Sequence, residues 1–155
     1  GAERVDSVLN ALHYLSEIAH VDYWVMVHDA ARPCVTTACL EQLYQTAVAT
    51  DQSAILAIPV RDTLKKVSQG TKIKTTVSRD QLWQAQTPQI AKLDVLKTAI
   101  ESALKQQLTI TDEASALEAA GQIVNIVHGR SDNIKITYPY DLELARLILA
   151  SQQCG

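Results

Sequence analysis

Glycine is scarce in this 155-residue sequence, and its placement excludes two kinds of nucleotide site. Gly1, Gly70, Gly121, Gly129 and Gly155 are scattered, so there is no Gly-rich loop and neither a P-loop nor a dinucleotide fingerprint. Cysteine is equally sparse. Cys34, Cys39 and Cys154 are odd in number and show no CxxC spacing. That argues against a disulfide framework or a zinc site and makes a reducing cytoplasm the expected setting. Cys34 has no partner implied by sequence that would make it a nucleophile, so it reads as a buried thiol. No apolar run approaches the roughly 18 residues of a membrane span, and no basic segment followed by an apolar stretch marks a signal peptide. The net charge is −3 and the only basic pair is Lys65-Lys66. Sequence-independent nucleic-acid binding needs broad phosphate neutralisation. Any phosphate contact here must be local.

What remains is a globular composition, 47% hydrophobic and 20% charged, of a length that fits one domain with a real core. The chain centres on Trp24-Val25-Met26-Val27-His28-Asp29-Ala30-Ala31-Arg32-Pro33. Its unbroken, β-rich start predicts a strand buried on both faces of a parallel sheet. Ligands bind at the carboxyl ends of strands in open α/β sheets. A carboxylate and a guanidinium delivered there, with small residues between, suit a metal-bound phosphate ester. An ordinary solvated turn is the competing reading.

Around this strand the periodicities alternate. Helices are predicted over residues 1–18, from Thr36 or Thr37 to 49, over 92–106, and over 140–151 with Pro139 in its first turn. Another opens at Thr111 as N-cap, with Ala114 at N3 and Gly121 as its stop. Strands are predicted over 53–60 and 123–127, with a short alternating one over 133–137 that places Asn133, Lys135 and Thr137 on one face. The helix between the first two strands makes a right-handed βαβ unit. Residues 61–67 and 72–77 flank a Gly-containing turn, a hairpin too polar for a core and therefore a protruding arm. Pro88 holds Thr87 extended, at the end of a short strand. The sum is α/β layering with a hairpin insertion.

Polar groups gather at the strand ends: His28, Asp29 and Arg32; Arg61, Asp62 and Thr63; Thr111 and Asp112; Asp132, Asn133 and Lys135. Asp29 and Asp132 could hold a divalent cation such as Mg²⁺, which favours one or two carboxylates plus substrate phosphates. Arg32, Arg79 and Lys135 could neutralise phosphates. For each residue alone, a surface ion pair is the competing reading.

Six stretches occur in order: Glu3 to Val8; His28-Asp29-Ala30-Ala31-Arg32-Pro33; Pro59-Val60-Arg61-Asp62-Thr63; Arg79 with Leu82-Trp83-Gln84-Ala85-Gln86-Thr87-Pro88-Gln89; Ile110 to Glu118; and Gly129 to Thr137. Together they closely resemble the 2-C-methyl-D-erythritol 4-phosphate cytidylyltransferases of non-mevalonate isoprenoid biosynthesis, over essentially the whole chain. The resemblance implies a three-layer, Rossmann-like nucleotidyltransferase fold, here one domain (1–155) with residues 61–79 as a dimerisation arm. It implies CTP and methylerythritol phosphate as substrates, Mg²⁺ as cofactor and a cytoplasmic homodimer. Gly1, Ser7 and Asp29 would face the nucleotide, and Arg32, Thr111 and Lys135 the methylerythritol phosphate. Thr63, Arg79 and Thr87 would reach that site from the arm of a second subunit. Asp29, Lys135 and Arg79 would carry the chemistry, with Asp29 and Asp132 beside the metal, while His28 takes a structural role. The family's opening Gly-rich loop, with its arginine and lysine, has no counterpart in these residues. The fold is therefore expected to be incomplete at the amino end, and the chain alone nearly inactive. The alternatives are another sugar-phosphate nucleotidyltransferase and a non-catalytic dimerisation or binding fragment.

Overall fold

Helices on both faces of a four-stranded sheet carry the chain in the computed structural model, which describes residues 4–153. The order is α1 (Arg4–Ile18), β1 (Trp24–Val27), α2 (Thr37–Thr50), β2 (Ser53–Pro59), β3 (Leu64–Val67), β4 (Ile73–Val77), β5 (Trp83–Lys92), α3 (Leu93–Lys105), α4 (Glu113–Ala119), β6 (Val124–His128) and α5 (Pro139–Gln153). The sheet runs β1-β5-β2-β6. β5 is antiparallel to both β1 and β2, and β2 is parallel to β6. Strands β1, β2 and β6 therefore point the same way, and their carboxyl ends share one edge.

Successive residues of a strand face opposite sides, and β5 shows the consequence. Ala91 packs with Leu12 of α1, Leu96 and Ile100 of α3, and Leu117 of α4. Its neighbour Ile90 packs with Leu43 and Ala47 of α2 and with Leu56 and Val127 of the sheet. These are the three layers expected.

Several local expectations are corrected. β1 is only half-buried, with Met26 37% exposed, because it ends the strand order and pairs with β5 alone among the described residues. β1 and β2 are not neighbours, since β5 lies between them. The predicted strand over 133–137 does not form. That stretch is irregular, tied to the turn after β1 by one backbone bond from Ile136 N–H to the Ala31 carbonyl, 2.8 Å. The N-cap of α4 is Asp112 rather than Thr111. Its carboxylate accepts the Ser115 N–H at 2.9 Å while the Ser115 hydroxyl receives the Asp112 N–H, a reciprocal capping box. Gly121 follows with φ +72°, the left-handed geometry foreseen for the stop.

β5 departs furthest from expectation and matters most. It is one strand of ten residues, and Thr87 lies inside it. In its pairing with β2, Ile55 faces Gln89 and Ala57 faces Ala85. One residue on β2 is thus opposed by three on β5: Gln86, Thr87 and Pro88. A proline cannot donate to a ladder and belongs at such a bulge, and bulges re-aim side chains. Gln86 and Thr87 are turned into the buried edge of the sheet, each 5% exposed. The hairpin β3–β4 forms a separate two-stranded sheet in which every residue of β4 is exposed.

Candidate functional site

The site grows from the turn after β1. Asp29 donates its backbone N–H to Thr87 Oγ1 at 3.0 Å, and that hydroxyl lies 3.0 Å from His28 Nδ1. The other ring nitrogen of His28, Nε2, is 2.9 Å from the Arg32 carbonyl. A carbonyl only accepts, so Nε2 carries the proton and Nδ1 accepts from Thr87. His28 is therefore a brace that fixes the turn, the structural role expected of it.

The Asp29 carboxylate is held between two cations. Oδ1 lies 3.1 Å from Arg4 Nε, and Oδ2 lies 3.0 Å from Lys135 Nζ. Burial pushes this carboxyl up, but the hydrogen bond from Lys135 and the nearby Arg4 charge more than offset it and hold it below the ordinary range. Arg4, the first residue of α1, also forks onto Glu113, with Nη1–Oε1 2.7 Å and Nη2–Oε2 3.0 Å. Glu113 is only 3% exposed. The Glu113 hydrogen bond comes first among the causes that raise the Arg4 pKa.

Three side chains set the surrounding frame. Gln89 receives the Ala114 N–H at 2.8 Å and donates to Asp112 at 2.9 Å, fastening the start of α4 to β5. Gln86 donates to the Arg130 carbonyl at 2.9 Å. Asn133, fully buried, donates its side-chain amide to the Thr87 carbonyl at 3.0 Å, and its backbone carbonyl accepts from Arg32 Nη1 at 2.8 Å. The buried Nε of Arg32 has no hydrogen-bond partner among the described residues. Burial lowers the Arg32 pKa, and Asp29 partly counters it.

Two cavities meet at this cluster. The larger, about 540 Å³, lies between α1 and β1 and is mainly apolar, with Ser7 in its wall. The smaller, about 230 Å³, is polar and is lined by Arg32, Thr87, Thr111 and Asp112 among others. Arg4, Asp29 and Lys135 belong to both. The ion-paired trio is the wall between them.

Of the residues singled out from sequence, Ser7, Asp29, Arg32, Thr87, Thr111 and Lys135 therefore converge. Thr87 does so within its own chain: it is a buried residue of the central sheet and no part of the arm, which corrects its assignment to a second subunit. Thr63 and Arg79 are exposed near the hairpin and line neither cavity. Gly1 lies outside the described residues. Asp132 lines neither cavity either. Both of its carboxylate oxygens are taken by Arg130 at 2.8 and 2.6 Å, and Arg130 holds its pKa down. No group of three His, Cys, Asp or Glu side chains among the described residues could hold a metal. Asp29 is the carboxylate common to both cavities, while the Asp112 carboxylate in the smaller one is engaged by Ser115 N–H and Gln89. Roles for Arg4, Glu113, Gln86 and Gln89 were not visible in the sequence, since their partners are remote along the chain.

Comparison with known proteins gives one answer. The family model for 2-C-methyl-D-erythritol 4-phosphate cytidylyltransferase matches residues 1–151. The protein of that name from Acinetobacter baumannii (strain SDF) is 72% identical over 152 residues, 98% of this chain and 64% of the relative. That from Vibrio cholerae is 51% identical over 150 residues, 97% of this chain and 64% of the relative. The chain thus spans 64% of the length of these curated relatives. Among solved structures, the Francisella tularensis enzyme superposes with a TM-score of 0.88 at 40% identity, covering 96% of this chain and 69% of that one. The Thermus thermophilus enzyme gives 0.85 at 33% identity, covering 97% and 71%.

Proposed function

We propose, from the premise that this chain belongs to the 2-C-methyl-D-erythritol 4-phosphate cytidylyltransferase family, that its two cavities serve transfer of a cytidylyl group from CTP to 2-C-methyl-D-erythritol 4-phosphate. The single observation that carries this reading is the shared wall of Arg4, Asp29 and Lys135. Two reactants on either side of one charged partition can be brought together with their phosphates facing, which is most of what phosphoryl-type transfer requires. The larger, apolar cavity with Ser7 suits the nucleoside of CTP. The smaller, polar one suits the sugar phosphate. Arg32, with its unpartnered Nε–H, and Lys135 neutralise that phosphate.

In the reaction, a phosphate oxygen of methylerythritol phosphate attacks the α-phosphorus of CTP. The new P–O bond forms as the bond to the bridging α–β oxygen breaks, and that oxygen leaves with pyrophosphate. Lys135 offsets the negative charge brought to Asp29, whose carboxylate stays ionised. Asp29 fits a divalent cation of the Mg²⁺ kind as a single-carboxylate site completed by substrate phosphates. Such an ion, when bound, supplies charge neutralisation at the triphosphate. Asp29, which lines both cavities, is better placed for that ion than Asp132, which lines neither.

Thr63 and Arg79 belong to an exchanged arm in this reading. The hairpin of one subunit lies over the sugar-phosphate cavity of its partner in a homodimer, and the protein works in the cytoplasm. The exposed Val67 and Ile73 and the isolated pairing of β3 with β4 support an arm that packs on another surface. Calorimetry on the full-length chain tests the division of the site. Lys135→Ala should weaken methylerythritol phosphate binding about tenfold or more and weaken CTP binding less. Unaltered sugar-phosphate binding would remove Lys135 from that cavity.

A further inference from the structure

Glu113 is a buried carboxylate, 3% exposed, and Arg4 is its ion-pair partner. A buried charge is costly unless paired with good geometry. Both oxygens of Glu113 meet Arg4 in a fork, 2.7 and 3.0 Å, which leaves the guanidinium little freedom to rotate. The Nε–H, one of the three N–H groups left, then points at Asp29 Oδ1, 3.1 Å away. Each member comes from a different element. Arg4 opens α1, Asp29 follows β1, and Glu113 opens α4. Glu113 adjoins Asp112, which Gln89 fastens to β5. Arg4 is thus locked to a rigid part of the fold, and through it the Asp29 carboxylate is fixed in one orientation. On its other oxygen, Lys135 is a lysine 51% exposed and free of such a lock.

We infer that Arg4 and Glu113 are a positioning pair for Asp29, with Glu113 setting the guanidinium and Arg4 setting the carboxylate. The inference rests on the function proposed above. The pair also joins the start of α1, whose Ser7 faces the larger cavity, to the start of α4, where Thr111 and Asp112 line the smaller one. Its loss should leave both ligands able to bind while the reacting groups fall out of register, so kcat falls and KM does not. Misplacement by about 1 Å at such a site costs on the order of 10²-fold in rate.

Two variants of the full-length chain test this, with melting temperature, kcat and KM as readouts. Arg4→Lys keeps a charge opposite Glu113 and removes the fork. The double variant Arg4→Met with Glu113→Leu replaces the pair by apolar groups of similar size, a change that buried ion pairs often tolerate without loss of stability. A positioning pair predicts wild-type melting for the double variant, kcat lowered about 10²-fold, and both KM values within about threefold of wild type. Arg4→Lys should lower kcat by at least about tenfold. A double variant that melts and turns over like wild type would make the pair purely structural and overturn the inference. So would Arg4→Lys with unchanged kcat, even if the double variant failed to fold. Absence of cytidylyl transfer by the wild-type full-length chain is a different result, and it would instead reject the function proposed.

Discussion

The backbone N–H of Asp29 donates to the hydroxyl of Thr87 at 3.0 Å, joining the end of β1 to the bulge in β5. Through this bond the sheet itself, rather than the turn, decides where Asp29 stands. Thr87→Val removes the hydroxyl while preserving shape and leaves Asp29 N–H and His28 Nδ1 without it. Unfolding free energy from urea titration should fall by about 1–3 kcal/mol. Thr87→Ser should recover most of the loss. Equal stability of the valine variant and wild type would show that this bond does not hold the turn.

Gly129 tests the same frame from the other side. A Cβ placed on it would fall inside contact distance of Gln86 Oε1, in a buried side chain whose amide donates to the Arg130 carbonyl. Relief requires Gln86 to move and that bond to weaken. Gly129→Ala should therefore cost about 1–3 kcal/mol, the usual range for overpacking. Wild-type stability in urea titration would mean that Gln86 yields without cost.

The depressed Asp29 pKa makes a signed prediction. The folded state favours ionised Asp29 more than the unfolded state does, because of Lys135 and Arg4. The stability this contributes is full above the ordinary carboxylate pKa near 4 and is lost as pH falls through the lowered folded value. Wild type should exceed Asp29→Asn by on the order of 1 kcal/mol at neutral pH, limited by the exposure of both cations. The gap should close as the pH is taken below about 4. A gap that persists unchanged at the acid end would place the effect of Asp29 outside ionisation.

The exchanged arm is tested by mixing inactive subunits. Arg79→Ala and Asp29→Ala homodimers of the full-length chain should each lose about 10²-fold or more in turnover. Verified mixed dimers should recover one intact site and up to about half of wild-type activity per dimer. No recovery would confine Arg79 to its own subunit or remove it from the site.

The sequence was readable where the physics is local. The Thr36 cap and the Gly121 stop are set by residues within a few positions, and α2 and α4 end as expected. The α/β layering followed from the order of periodic segments, and the three layers from the family resemblance. The strand predicted over 133–137 failed because alternation of Asn133, Lys135 and Thr137 also suits an irregular stretch, with Asn133 buried as a hydrogen-bonding hub. Pro88 is the only signal of the bulge in β5, and by itself it predicts a strand end instead. Within the site, Asp29, Arg32 and Lys135 stand at chain turns and were legible. Arg4 and Glu113 were not, since they are 109 positions apart and each looks like an ordinary residue of a helical first turn.

Turnover by the full-length chain with methylerythritol phosphate and CTP, UTP or GTP in parallel, followed by pyrophosphate release and product mass, tests the central claim most directly. The account predicts cytidylyl transfer from CTP with at least about tenfold preference over the other nucleotides. A preference for UTP or GTP, or no pyrophosphate released with CTP, would contradict it.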